Sequence, residues 1–154
     1  AIANCLVGSE MCIRDSVYAE PSGGAMRRYM MELVPLIYGA SFVFVGLRHF
    51  QDPAWFEPIV PKELGNPRFW VYLSGIFEII LGIGMILPYF RPVASILIAM
   101  MLVVLYWANL NMWVNDIPIG GSTLTTKGHI LRALAQVFLI WMALWIGDWL
   151  PSKE

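Results

Sequence analysis

Residues 70–87 read WVYLSGIFEIILGIGMIL, a run with a single charged side chain, Glu78, bounded by Pro67 on one side and Pro88 on the other. The hydrocarbon core of a bilayer is ~30 Å thick, and about 20 residues of helix are needed to cross it. A run of this length and apolarity therefore reads as a transmembrane helix. Proline marks its ends because the ring lacks an N–H and clashes with the preceding turn inside a helix. Three more segments have the same character, from about Met31 to Phe50, about Val93 to Trp113 and about Ile130 to Leu150. Pro92 and Pro151 punctuate the later spans, and Pro35 is expected in the tolerant first turn of the first. The period-two alternation of barrel strands is missing. The expected fold is all-α, a membrane-spanning antiparallel four-helix bundle.

Composition agrees. Of 154 residues, 58% are hydrophobic and 14% charged, against about 45–50% and about 25% in soluble domains. Mean hydropathy is +0.65. Four long spans with so few charges argue against a soluble helical protein. A formal charge of −1 gives no electrostatic footing for nucleic acid. Seven Trp, eight Phe and six Tyr suit a chain that meets lipid headgroups. The bilayer is thus the expected surrounding.

Residues Ala1 to Ala25 stand outside this pattern. They lack the basic start and long apolar core of a secretory signal. The stretch CLVGSEMCIRDS, Cys5 to Ser16, resembles translated sequencing-adapter read-through. Residues 1–25 are read as a non-native or disordered leader, and 26–154 as the four-helix domain, with Met26 its expected start. Cys5 and Cys12 both precede the first span, and there is no CxxC motif, so dithiol redox chemistry by this chain alone is not expected. Their spacing permits a disulfide that nothing nearby would stabilise.

The linkers constrain the topology. Pro88 to Pro92 is so short that spans two and three must be antiparallel neighbours. Four spans place both termini on one side, with Arg27, Arg28, Arg91 and Lys153; Lys62, Arg68 and Lys127 fall on the other. This slight excess puts the termini in the cytoplasm. In the first loop, Asp52-Pro53 reads as an N-cap and first helical residue. Trp55, Phe56, Ile59 and Val60 then suggest a short interfacial element before Pro61. The Gly-, Ser- and Thr-rich loop from Asn115 to Gly128 reads as mobile, with Thr125 or Thr126 capping the fourth helix.

Polar groups at bilayer depth cost ~2.5–3.5 kcal/mol each on insertion scales, so they turn inward and are functional candidates. They are Arg48 and His49, Glu78, Asn109 and Asn111, and Arg132 and Gln136. The spans alternate in direction, so most of these fall within about two turns of the loop-rich face. Glu78 lies ~12 Å in from Trp70 at 1.5 Å per residue. Gly75, Glu78 and Gly82 share a helix face, as do Arg132 and Gln136, and Gly39 and Gly46 form a similar pair on the first helix.

The pattern predicts a pocket between the helices, with Glu78 at its floor and Arg132 or Arg48 as counter-ion. Two other readings stay open: a polar cluster that only fixes helix register, and lone side chains snorkelling to the headgroups. His49 and His129 fall on one side, but two imidazoles without carboxylate or thiolate company make a poor metal or haem site. No metal set is expected, and the sequence leaves the catalytic residues unassigned.

In several places the chain resembles the DoxX family of small bacterial membrane proteins. The matching elements are Gly46-Leu47-Arg48-His49-Phe50, the Pro53 to Pro61 segment ending Ile59-Val60-Pro61, and Trp70 to Glu78. Further on come Arg91 and Ala94, Ala108-Asn109-Leu110-Asn111-Met112, and Arg132 with Gln136 ahead of a Trp-rich end. The likeness spans about Met31 to Trp149. Trp107 stands where relatives often carry proline, so the third helix is expected to run straighter.

The resemblance implies a bacterial inner-membrane protein of redox or quinone-associated processes, with His49, Glu78, Asn109, Arg132 and Gln136 at family positions. Nothing in the sequence points to the thiosulfate chemistry of the larger relatives. Three functions follow as expectations. The first is the membrane component of an oxidoreductase system holding a quinone-like or small anionic ligand, with a soluble or membrane oxidoreductase subunit as partner. The second is a non-enzymatic scaffold for a partner. The third is small-molecule passage through a homo-oligomer.

Overall fold

The computed structural model describes residues 22–150, and their side chains from Tyr29 onward. Cys5, Cys12, the Cys5–Ser16 stretch, Pro151 and Lys153, and the side chains of Arg27 and Arg28, lie outside the described residues. The chain divides into two compact units, Ala1–Val34 and Pro35–Glu154. The described part of the first is helical; the bundle contacts and the site described below belong to the second.

The fold is all-α, with four helices long and apolar enough to cross a membrane. Helix α1 runs Ser22–Gln51, α2 Pro53–Phe56, α3 Pro67–Ile86, α4 Arg91–Val114 and α5 Thr126–Ile146. Two 3-10 turns, Glu57–Ile59 and Lys62–Leu64, separate α2 from α3.

The ends follow from local chemistry. Asn66 caps α3 by accepting from the Arg68 N–H at 3.1 Å, with Pro67 in the first turn. Arg91 reaches back to donate through Nε to the Met85 carbonyl at 3.2 Å, near the end of α3, where the last carbonyls lack partners and carry the negative end of the dipole. Thr125 caps α5, accepting from the Gly128 N–H at 3.3 Å. Helix α4 runs unbroken through Trp107.

Several boundaries differ from expectation. The first span, Tyr29–Gln51, falls where expected, but the helix that carries it starts at Ser22, so Pro35 lies inside it and not in its first turn. Helix α5 stops at Ile146, before Leu150, because Gly147 packs against Ser95 and Asp148 takes a left-handed φ of 61°. The Asp52 side chain makes no capping bond; Pro53 alone shapes that start. The Asn115–Gly128 loop contains a tight turn, Ile119 bridging Ser122 around Gly120 and Gly121 at φ 59° and 84°. Only glycine takes two such angles in succession at little cost.

Helix packing has a simple basis. Glycines let α1 and α3 meet backbone to backbone. A Cβ on Gly39 would collide with the Gly82 carbonyl, and one on Gly46 would lie 2.8 Å from the Gly75 carbonyl. The antiparallel pairing 39 with 82 and 46 with 75 makes two rungs, two turns apart. Without a hydrophobic force between helices in lipid, such close approach supplies dispersion contacts. The turn Leu87–Phe90 sets α4 beside α3, and α4 packs along α5. The ring closes where the Tyr38 hydroxyl of α1 donates to the Leu139 carbonyl of α5 at 2.7 Å.

The apolar core occupies the half of the bundle toward the α3–α4 turn, with Tyr38, Phe42, Leu81, Met85, Ile98, Leu102 and Ala143. Trp149 fastens that end, donating to the Pro92 carbonyl at 2.9 Å and lying 3.2 Å from the Ser95 hydroxyl. Outward, each long helix presents large apolar residues: Phe44 is 64% exposed, Ile80 59%, Val104 68% and Leu134 62%. A belt of this extent is incompatible with water as solvent and natural in lipid. The chain is a membrane protein.

Candidate functional site

The other half of the bundle holds a cavity of about 360 Å³. His49 arrives on the last turn of α1, Glu78 from the middle of α3, Asn109 from α4, and Arg132 and Gln136 from the first turns of α5. Phe42, Leu102 and Leu139 close its inner end against the apolar core.

Glu78 is buried, and its Oε2 accepts no hydrogen bond. The nearest basic group is the Nδ1 of His49 at 3.5 Å. That nitrogen instead donates to the Val45 carbonyl at 2.9 Å, one turn back. Gly75 makes the approach of the two residues feasible: a Cβ there would lie 2.8 Å from the His49 Cβ. Glycine rung and polar pair are thus one piece of construction.

Across the cavity, Gln136 is buried and donates to the Leu102 carbonyl at 2.6 Å, while its Oε1 accepts a long bond, 3.4 Å, from the Asn109 amide. Arg132 is half-buried; its Nη1 reaches only the Met112 sulfur, a weak acceptor, at 3.6 Å. No carboxylate pairs with Arg132 among the described residues. A carboxyl and a guanidinium therefore line one cavity without touching. The expected Glu78–Arg132 ion pair is not made, since Glu78 lies against His49. Arg48 is exposed and lines no part of the cavity, because the α1 face that carries His49 inward turns its neighbour outward. As a pocket residue and as counter-ion it is corrected.

A lid covers the loop-rich end. Phe56 stacks on His49 with ring centroids 3.9 Å apart, and Trp55 meets Phe56 edge-on at 4.7 Å. Asn111 holds the lid down, donating to the Ile59 carbonyl at 3.1 Å, so it is a strut and not a cavity group. On the outer face Glu57 accepts from the Arg68 Nε at 2.6 Å; exposed pairs of this kind add little stability. The Gly120 turn lies over Trp55.

Sequence reading placed an interfacial segment here but did not assign Trp55, Phe56 and Ile59 to the site. Their apolar side chains beside a short helix start were the signal. His129 stacks on Trp113 at 5.3 Å, away from the cavity, so the two histidines do not share a site. No cluster of three or more His, Cys, Asp or Glu capable of holding a metal occurs among the described residues.

The residues that build this bundle and cavity also carry a match with a known family. The model of a domain of unknown function, DUF8561, matches residues 38–147. The chain belongs to the DUF8561 family. That match begins at Tyr38, which closes the helix ring, and ends at Gly147, just past α5, so His49, Glu78, Asn109, Arg132 and Gln136 all lie inside the DUF8561 region. No curated protein and no solved structure matches the chain.

Proposed function

We propose that this protein binds the head of a quinone-like molecule in the lidded cavity and serves as the membrane component of an oxidoreductase system. The carrying observation is a buried carboxyl oxygen without a hydrogen bond and a guanidinium without an anion, lining one cavity of about 360 Å³. Buried polar groups are nearly always satisfied, and an orphan in a cavity marks a place for a ligand or water. A quinone ring fits the donor set. Its carbonyl oxygens accept, which suits Arg132 and the Asn109 amide, and its flat face suits the Phe56 and Trp55 rings. When bound, such a group carries electrons together with protons at its oxygens. Glu78 stands where a proton can be held.

The DoxX-like motifs support the same reading, with an oxidoreductase subunit as partner and the bacterial inner membrane, termini in the cytoplasm, as location. The scaffold reading draws on one observation: Gln136 and Asn109 already bond within the bundle. It leaves Glu78 and Arg132 unexplained.

The test is titration of the detergent-solubilised protein with a tailless benzoquinone, read by Trp55 fluorescence, with Trp55→Phe as the control for signal origin. Saturable quenching, weakened about tenfold in Glu78→Gln and in Arg132→Gln, is expected. Quenching without saturation, or equal affinity in all three proteins, rules the reading out.

A further inference from the structure

A second recess, of about 700 Å³, lies along α3 and α4. Phe77, Ile80, Met100 and Val104 line it, all strongly exposed. Polar atoms contribute almost nothing: the Ser74 hydroxyl donates to the Val71 carbonyl and the Trp70 indole to the Leu64 carbonyl, so both are occupied within the protein. Groove and cavity share two residues of α4, Leu105 and Ala108, which line both. They are three apart and so lie on one helix face.

The alternation continues along the chain. On α3, Phe77 lines the groove and Glu78 the cavity; on α4, Trp107 lines the groove and Asn109 the cavity; under the lid, Ile59 lines the cavity and Val60 and Pro61 the groove. The polar chamber and the apolar groove thus border each other along α4, with Leu105 and Ala108 common to both.

We infer that the groove seats the long hydrocarbon tail of the ligand whose head occupies the cavity, and that Leu105 and Ala108 form the portal between them. This rests on the quinone-head reading and adds the ligand's class: a membrane-resident lipid quinone, not a water-soluble one. The occupant follows from continuity. Only a molecule with a polar head and an apolar tail satisfies both recesses at once, and a lipid-side portal admits it without passage through water. A tail leaving lipid gains little hydrophobic energy, so the groove acts mainly by orienting the tail and the head attached to it.

The test uses the full chain in phosphatidylcholine nanodiscs and a benzoquinone carrying a diazirine at the end of a long saturated tail. After irradiation, adducts are mapped by mass spectrometry. Labelling concentrated on Phe77, Met100 and Val104, and displaced by excess tailless benzoquinone, is expected. Labelling on Trp55, or spread evenly over Phe44 and Leu134, overturns the inference. So does equal labelling of the groove by a phosphatidylcholine with a diazirine in its acyl chain, which would make it an ordinary lipid seat. Val104→Phe, a lipid-facing change that narrows the groove, should lower affinity for the tailed relative to the tailless quinone about fivefold; equal loss or no loss overturns it. If the wild-type protein binds neither quinone, the head reading itself has failed. If it binds both without discrimination, only the tail inference has.

Discussion

The two halves of the bundle are built from the same four helices in the same lipid, yet they are held together differently. Around Met85 and Ile98, both fully buried, side chains interdigitate, and the few polar groups nearby, Tyr38, Ser95, Arg91 and Trp149, are all hydrogen-bonded within the protein. Around Glu78 and Gln136 the helices leave a cavity, and across it contact is carried by a few hydrogen bonds and by an aromatic lid. The glycine rungs bridge the difference, with Gly39–Gly82 in the dry half and Gly46–Gly75 under the polar pair. One half supplies rigidity, and the other holds a chamber open at that half's expense.

If this division is right, substitutions should separate stability from binding. The largest loss of stability is expected from Gly39→Leu, because the new side chain meets backbone that has no room to retreat. Overpacking costs ~1–3 kcal/mol where neighbours can yield and more where they cannot, so Gly39→Leu should lower the detergent-unfolding midpoint further than any change below. A midpoint unchanged by Gly39→Leu would mean the rung is not a tight contact.

Next comes Met85→Ala, which leaves a void in the dry half and should cost ~2–5 kcal/mol, with quinone titration little altered. Gln136→Leu follows. It deletes the bond to the Leu102 carbonyl and the long one from Asn109, and such bonds between membrane helices average about 0.6 kcal/mol each, so a loss well above their sum would show the polar half to be structural. Smallest is Glu78→Gln. It keeps the shape and removes a buried acid that accepts no bond at Oε2, so stability should move by less than about 1 kcal/mol while quinone binding falls. A large destabilisation by Glu78→Gln would erase the contrast and favour the scaffold reading.

Much of this plan could be read from the sequence, and the reasons are physical. Lipid imposes a single length and polarity on each span, so Trp70–Leu87 and its three counterparts announce themselves. Depth along antiparallel helices then sorts polar residues by half, which is why His49, Glu78, Asn109, Arg132 and Gln136 come together. The helical period alone could not say which basic residue meets Glu78. Arg48 and His49 are neighbours, and a rotation of about 100° per residue decides between them; the glycine contact at Gly75 fixes that rotation. The lid was legible only as an apolar segment, because its docking depends on Asn111, a long-range partner that no local pattern reveals. The apolar run marked the membrane span of α1 within two residues of Tyr29, but not the helical extension that precedes it back to Ser22.

Each of the two paired helices carries its two contact glycines seven apart, 39 and 46 on α1, 75 and 82 on α3. Insertions and deletions should therefore be tolerated very unevenly along the chain. One residue added between Gly39 and Gly46 would swing everything after it by about 100° and carry His49 away from Glu78, however well the extra residue suited lipid. Neither helix can change length between its glycines independently of the other, and across a set of homologues these two intervals should stay fixed while the outer connections drift in size.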